Sequence, residues 1–248
     1  MQRLREAKAK LDEQEQAQKA EQAEKIRDRE EKEAESGEKM RGRKPKSPEG
    51  VELDEDTKAN TTDPESQTMK SRDGWKQGYN GQAMVDCDSQ MIVAQGVTND
   101  ANDTQQLEPM LDECADVNGQ LPWNVLAEAE YWSEENAELE DEQTELFIAT
   151  TKGWKRRKSL RENGPPRGPI PDSAGPKGLM ERKLRTKRGR DIYRKRGQSV
   201  EPVFGQHVNR GLDRFMLRSE DGAAAEWSLF SATHNPLKLW RTRWESAG

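Results

Sequence analysis

The chain has 248 residues, of which 31% are hydrophobic and 35% charged, against roughly 45–50% apolar and about 25% charged in ordinary soluble domains, so much of it is excluded from any core. No run approaches the ~18 consecutive apolar residues of a membrane span, and the opening MQRLREAKAK is charged where a secretory signal is apolar; a soluble, cytoplasmic protein is expected. Two cysteines, Cys87 and Cys114, and two histidines exclude a disulfide scaffold and a zinc site of ordinary spacing.

Residues 3–35 are rich in Glu, Lys, Arg, Gln and Ala and hold no Gly or Pro, which predicts a helix. Its larger apolar positions, Leu4, Leu11 and Ile26, do not sustain a heptad, so residues 1–46, with 14 basic and 12 acidic groups, read as a charged, solvated helical arm ending in the basic run RGRKPK. Residues 47–72 are acidic, rich in Pro, Thr and Asn, with little to bury, and read as a linker. From Trp75 the texture changes. Stretches 75–86 and 90–98, separated by the turn-like CDS, predict a β-hairpin. After the capping cluster NDANDT, residues 105–117 place Leu107, Met110, Leu111 and Cys114 at helical spacing. A short buried strand follows at 124–127 (NVLA), then a polar helix capped by Ser133 (SEEN), then a strand at 145–150 (ELFIAT). A hairpin followed by helix, strand, helix and strand implies a mixed α/β fold with room for parallel strands.

The charge then reverses. Residues 47–150 carry 4 basic and 25 acidic groups, residues 151–218 carry 20 and 6, an asymmetry suited to holding cations at one place and a polyanion at another. Residues 151–190 are basic, rich in Pro and Gly, and without a clear period, and read as an insertion or long loop. Residues 190–208 predict a helix carrying Ile192, Tyr193, Val200, Val203 and Phe204, weakened at Gly197 and Pro202. A last helix, 223–240, puts Trp227, Phe230, His234 and Leu237 on one side with a bend at Pro236, and His234 reads as a core histidine. Residues 242–248 form a tail.

Hard divalent cations take oxygen ligands, and phosphoryl transfer on nucleic acid commonly uses two such ions about 3.5–4 Å apart. Two acids occupy suitable positions: Glu128 directly follows the strand NVLA, and Glu201 lies beside Val200 on the inner side of the 190–208 helix. Each has an ordinary alternative as a helix cap or surface charge. Trp154, among Lys152, Lys155, Arg156, Arg157 and Lys158, has the setting for stacking on an unpaired base or for packing on its own domain.

The strings GYNGQAMVDCDSQMIVAQGVTNDANDTQQLEPMLD, VLAEAEYWSEEN, RKLRTKRGRDIYRKRGQSVEPVFGQ and LDRFMLRSEDGAAAEWSLFSATHNPLKLW, in that order between about Thr62 and Trp240, resemble the catalytic domain of bacterial insertion-sequence transposases of the DDE type. The resemblance implies a partial ribonuclease-H-like mixed sheet flanked by helices over 73–241, with 1–46 as a helical insertion between the first and second strands. It also implies cutting and joining of DNA at transposon ends with Mg²⁺ (or Mn²⁺) held by three carboxylates, and self-association in a synaptic complex. By the same resemblance Glu128 and Glu201 are the second and third catalytic, metal-binding acids, converging across a small cleft, and Lys155, Arg156, Arg157, Lys158, Lys187, Arg188, Arg190, Tyr193 and Arg196 contact DNA. The family's first acid, in a strand reading Asp-Gly-Thr, falls ahead of residue 1; Asp86 is a weak substitute, belonging to the following hairpin and suited to forming its turn. The pattern also departs from the family: Glu128 replaces Asp, Glu130 replaces Gly and Val208 stands at a Lys position. These departures imply a truncated, catalytically impaired copy, with a non-catalytic DNA-binding relic using 151–218 as the alternative.

Overall fold

Uninterrupted helix formers in the first 36 residues give α1 (Gln2–Ser36), laced by ion pairs one turn apart such as Arg29 Nε to Glu33 at 2.9 Å. The computed structural model describes residues 2–37, 39, 44–50, 59–71, 74–153, 158, 162, 168–171 and 174–245, which fall into two units, Met1–Gln77 and Gly78–Gly248. In the first unit, residues 67–71, inside the expected linker, form β1 (Gln67–Ser71), which pairs with β2 (Gly74–Gly78). The Gln77 side chain fastens this pair by donating to the Ser66 carbonyl at 2.7 Å and accepting from the Thr68 hydroxyl at 3.0 Å. The strand expected over 75–86 is therefore two strands. Its first part pairs backward with β1, and its second part begins a different sheet.

In the second unit β3 (Asn80–Val85) and β4 (Ile92–Thr98) form an antiparallel hairpin, in register from Asn80 with Thr98 to Val85 with Ile92 and irregular between Met84 and Val85. A 3₁₀ turn capped by Asn102 leads into α2 (Leu107–Asn118), which buries Leu107, Met110, Leu111 and Cys114 and ends at Gly119, whose φ of +73° suits a residue without a Cβ. β5 (Asn124–Ala127) pairs in parallel with β6 (Glu145–Ile148), joined through a 3₁₀ turn and α3 (Glu134–Glu138), where Ser133 accepts from the Asn136 amide at 2.9 Å. Leu146, Phe147 and Ile148 are all fully buried, as expected of a strand covered on both faces.

The stretch 151–190 is not irregular throughout: residues 176–185 form α4 (Pro176–Arg185), with proline in its first turn, and its Met180 joins Leu107, Leu111, Val125, Leu146 and Ile148 in the core. Pro and Gly on its flanks hid its contribution to the core, which Leu184 extends. The single helix expected over 190–208 is likewise two, α5 (Lys187–Tyr193) and α6 (Arg196–Asn209), parted at Arg194 and Lys195 ahead of Gly197. Gly189 is obligatory in α5, because an added Cβ would sit 2.1 Å from the Lys183 carbonyl oxygen. Val203 of α6 packs on Val85 and Ile92 of the hairpin.

The last helix, α7 (Glu220–Glu245), runs along β4. Its Asn235 accepts from the Ile92 amide and donates to the Ile92 carbonyl, both at 2.8 Å, closing the outer edge of the hairpin. His234 Nε2–H donates to the Gln90 carbonyl at 2.8 Å, and His207 lies between Trp227 and His234, with ring centroids 5.0 and 5.4 Å away. Burial lowers the pKa of both histidines below the usual imidazole value.

Asn235→Ala is expected to leave the buried main chain of Ile92 unpaired and to lower unfolding stability by about 1–3 kcal/mol, read by urea denaturation. Because both histidines are held neutral in the fold, the unfolded chain takes up more protons below pH ~6.5. Stability should therefore be complete above that pH and decline as pH falls toward the lowered folded values, by up to about 1.4 kcal/mol per pH unit for each histidine. Thermal melts across this window check it, and His207→Phe should flatten the curve.

Candidate functional site

β5 is short and buried, with Val125 and Ala127 in the core, and its carboxyl end delivers Glu128 in extended conformation at the cap of the following turn. Helices α5 and α6 dock on this strand end. The Tyr193 hydroxyl donates to the Ala127 carbonyl at 3.2 Å, and Arg196, the first residue of α6, reaches Glu128 through Nη1. The same guanidinium places Nη2 3.6 Å from Glu201 Oε1. The Arg196 side chain is 17% exposed, whereas Glu128 and Glu201 are 49% and 70% exposed. The two acids singled out from the sequence are thus brought together, with a cation of the protein's own between them.

Behind this pair lies a polar network that sequence reasoning missed. Gln82, buried on β3, donates to Asp103 at 3.0 Å and accepts from the Tyr131 hydroxyl, tying the hairpin to the turn after β5. Burial, reinforced by the charges of Asp103 and Glu128, pushes the Tyr131 hydroxyl pKa upward, so it remains a donor. A buried glutamine in an otherwise apolar strand (GQAMV) was the available signal.

A family model described as a transposase DDE domain matches residues 37–235. The chain belongs to the transposase DDE domain family. Neither the curated proteins nor the solved structures yield a match.

Seen as part of a transposase domain, the remaining residues fall into distinct places. Asp86 directly follows β3 and serves its turn: its carboxylate accepts from the Ser89 amide at 2.8 Å and from the Ser89 hydroxyl, and the hydroxyl contact holds its pKa below the usual carboxylate value. Glu130 points to Lys152 at 3.5 Å, and Val208 is exposed on α6. Arg188 is engaged internally, donating to Glu145 at 2.8 Å and lying over the Phe147 ring, and this pairing lowers the pKa of Glu145. Lys187 and Arg190 are exposed. Lys158 is exposed beside Glu162 at 3.6 Å, and Lys155, Arg156, Arg157 and Trp154 lie outside the described residues.

Of the three carboxylates the resemblance implies, Glu128 and Glu201 are the two oxygen donors brought together here, with Arg196 between them. Among the described residues no group of three or more His, Cys, Asp and Glu side chains is placed to hold a metal ion. A double-mutant cycle with Arg196→Met and Glu128→Gln should return a coupling of about 1 kcal/mol in urea unfolding. The cycle with Glu201→Gln should return less, because that contact is longer and more exposed to water.

Proposed function

We propose that this chain is a DDE-type transposase domain of ribonuclease-H-like architecture whose catalytic pair, Glu128 and Glu201, sits among departures from the family pattern, leaving a catalytically impaired copy that retains affinity for DNA. Membership of the transposase family supplies the reaction class, phosphoryl transfer at transposon ends. The observation that carries the impairment is the set of departures around the two acids, Glu128 for Asp, Glu130 for Gly and Val208 for Lys. Replacing Asp by Glu at position 128 also lengthens the side chain by about 1.5 Å, and ~1 Å of misplacement costs on the order of 10²-fold in rate. No helix among the described residues is long and apolar enough to cross a membrane, in keeping with a cytoplasmic, DNA-directed protein.

The DNA-binding reading rests on the basic run 151–218. Arg188 and Lys183 of that run are consumed by Glu145 and Glu140, while Lys187 and Arg190 stand exposed beside them, available to phosphates without reading bases. Lys155, Arg156, Arg157 and Lys158 add basic charge to the same run of sequence, and self-association would set two such copies along one duplex.

Incubation with supercoiled plasmid and linear duplex ends in Mg²⁺ or Mn²⁺ is expected to give neither nicking nor strand transfer above background; robust Mg²⁺-dependent product would overturn the impairment. Duplex binding, followed by fluorescence anisotropy, should weaken steeply with salt. The double substitution Lys187→Ala/Arg190→Ala should reduce the slope of log affinity against log salt by about 2, and an affinity indifferent to salt would remove the electrostatic reading.

A further inference from the structure

More than half of the large apolar side chains that the second unit leaves exposed, among the described residues, lie on α7 or in the loop just ahead of it: Met216, Leu217, Leu229, Leu237, Leu239 and Trp240. The inner face of α7 is fully used, with Ala223, Trp227, Ser231 and His234 buried. At 3.6 residues per turn, Gly222, Ala225, Leu229, Thr233, Pro236 and Trp240 form a second stripe on the opposite side. Leu229 is 63% exposed and Trp240 60%, and none of the exposed residues from Ala225 to Trp240 is charged. The two charged side chains in this stretch are engaged within the protein. Glu226 accepts from the Met216 and Leu217 amides at 2.8 and 3.1 Å, and Lys238 donates to the Gln90 side chain at 2.6 Å. A helix at the surface of a globular protein ordinarily turns polar residues outward, and one that is apolar on both sides is built to be covered on both.

We propose that this outer stripe is the interface with a second copy of this chain, the two α7 helices lying antiparallel about a two-fold axis level with Ser231. The stripe is complementary to itself in that arrangement. A two-fold contact that brings one residue to another does so twice, and here the amino half of the stripe is small and the carboxyl half large. Antiparallel pairing therefore sets Trp240 of each copy against Gly222 of the other, and Leu237 against Ala225. Leu217 stands beside Gly222, where an added Cβ would come within 3.1 Å of its own, and forms one wall of the seat for Trp240. The ends match in charge, since exposed Asp221 of each copy meets exposed Arg241 of the other, and the helix dipoles are opposed. A partner of uniform charge would meet its like at one end. Six large side chains, 40–70% exposed, present roughly 600 Å² of apolar surface, the upper end of what a monomer carries. Two copies reach the ~1,200 Å² at which specific interfaces begin. Whereas the family resemblance implies self-association on DNA, this contact forms in the free protein and stands apart from the transposase reading.

The test is sedimentation of the full 248-residue chain without DNA across the micromolar range, where a dimer that dissociates on dilution is expected. Leu229→Glu should raise the dissociation constant about tenfold or more and leave the far-ultraviolet circular dichroism unchanged. Asp221→Lys should also weaken the dimer, and adding Arg241→Asp should restore it. A merely structural loss would be deepened by the second change, because each substitution opposes the helix dipole at its own end. A chain that stays monomeric throughout the range overturns the proposal, as does a charge exchange that fails to restore association. A dimer indifferent to Leu229→Glu overturns it too, by assigning the contact to another surface such as α1.

Discussion

Complete burial of the parallel strand β6 is the constraint on which the rest of the second unit depends. Leu146, Phe147 and Ile148 point to both faces of the sheet and none is exposed, so helices must cover both sides. Leu107 and Leu111 of α2 and Met180 of α4 cluster with Leu146 and Ile148 on one face, and Lys183 of α4 and Arg188 of α5 lie over Phe147, which points to the other. The cover is held by more than apolar contact. Glu145 at the start of β6 binds Arg188 and Lys183, whose cationic groups also lie over the Phe147 ring. The basic segment that follows the sheet is thereby folded back onto it, and its charges are partly compensated before any partner arrives.

The position of the candidate site follows. With β5 beside β6, the carboxyl end of β5 is where the chain leaves the sheet, the usual place for reactive groups in parallel α/β architectures. Glu128 stands there, and Tyr193 and Arg196 bring α6 and its Glu201 to it. Catalysis on phosphodiesters asks for negative charge held ready for cations. This site gathers two carboxylates, with the Arg196 guanidinium between them.

Where periodicity and capping carried the information, the fold was legible. The strand at 124–127, the helix built on Leu107, Met110, Leu111 and Cys114, and the Ser133 cap could all be read from local pattern, because each depends on residues a few positions apart. α4 could not, since its ten residues bury Met180 alone and lie in a Pro- and Gly-rich stretch. Neither could the division of 75–86, which depends on pairing with a strand in the stretch taken for a linker. At the site, the approach of Glu128 to Glu201 came from family resemblance. Arg196 was named from the same resemblance as a DNA contact, but its pairing with Glu128 was invisible, because a guanidinium reaching an acid 68 positions away leaves no trace in spacing.

The Asn235 amide on Ile92 has a bearing on how the protein fails. An uncovered edge strand is a template for other chains, and β4 carries Ile92, Val93, Ala94 and Val97 along its length. Loss of α7 would therefore do more than remove packing. It would uncover a self-complementary ribbon, and the expected fate of such a fragment is stacking into insoluble aggregates while much of its secondary structure persists.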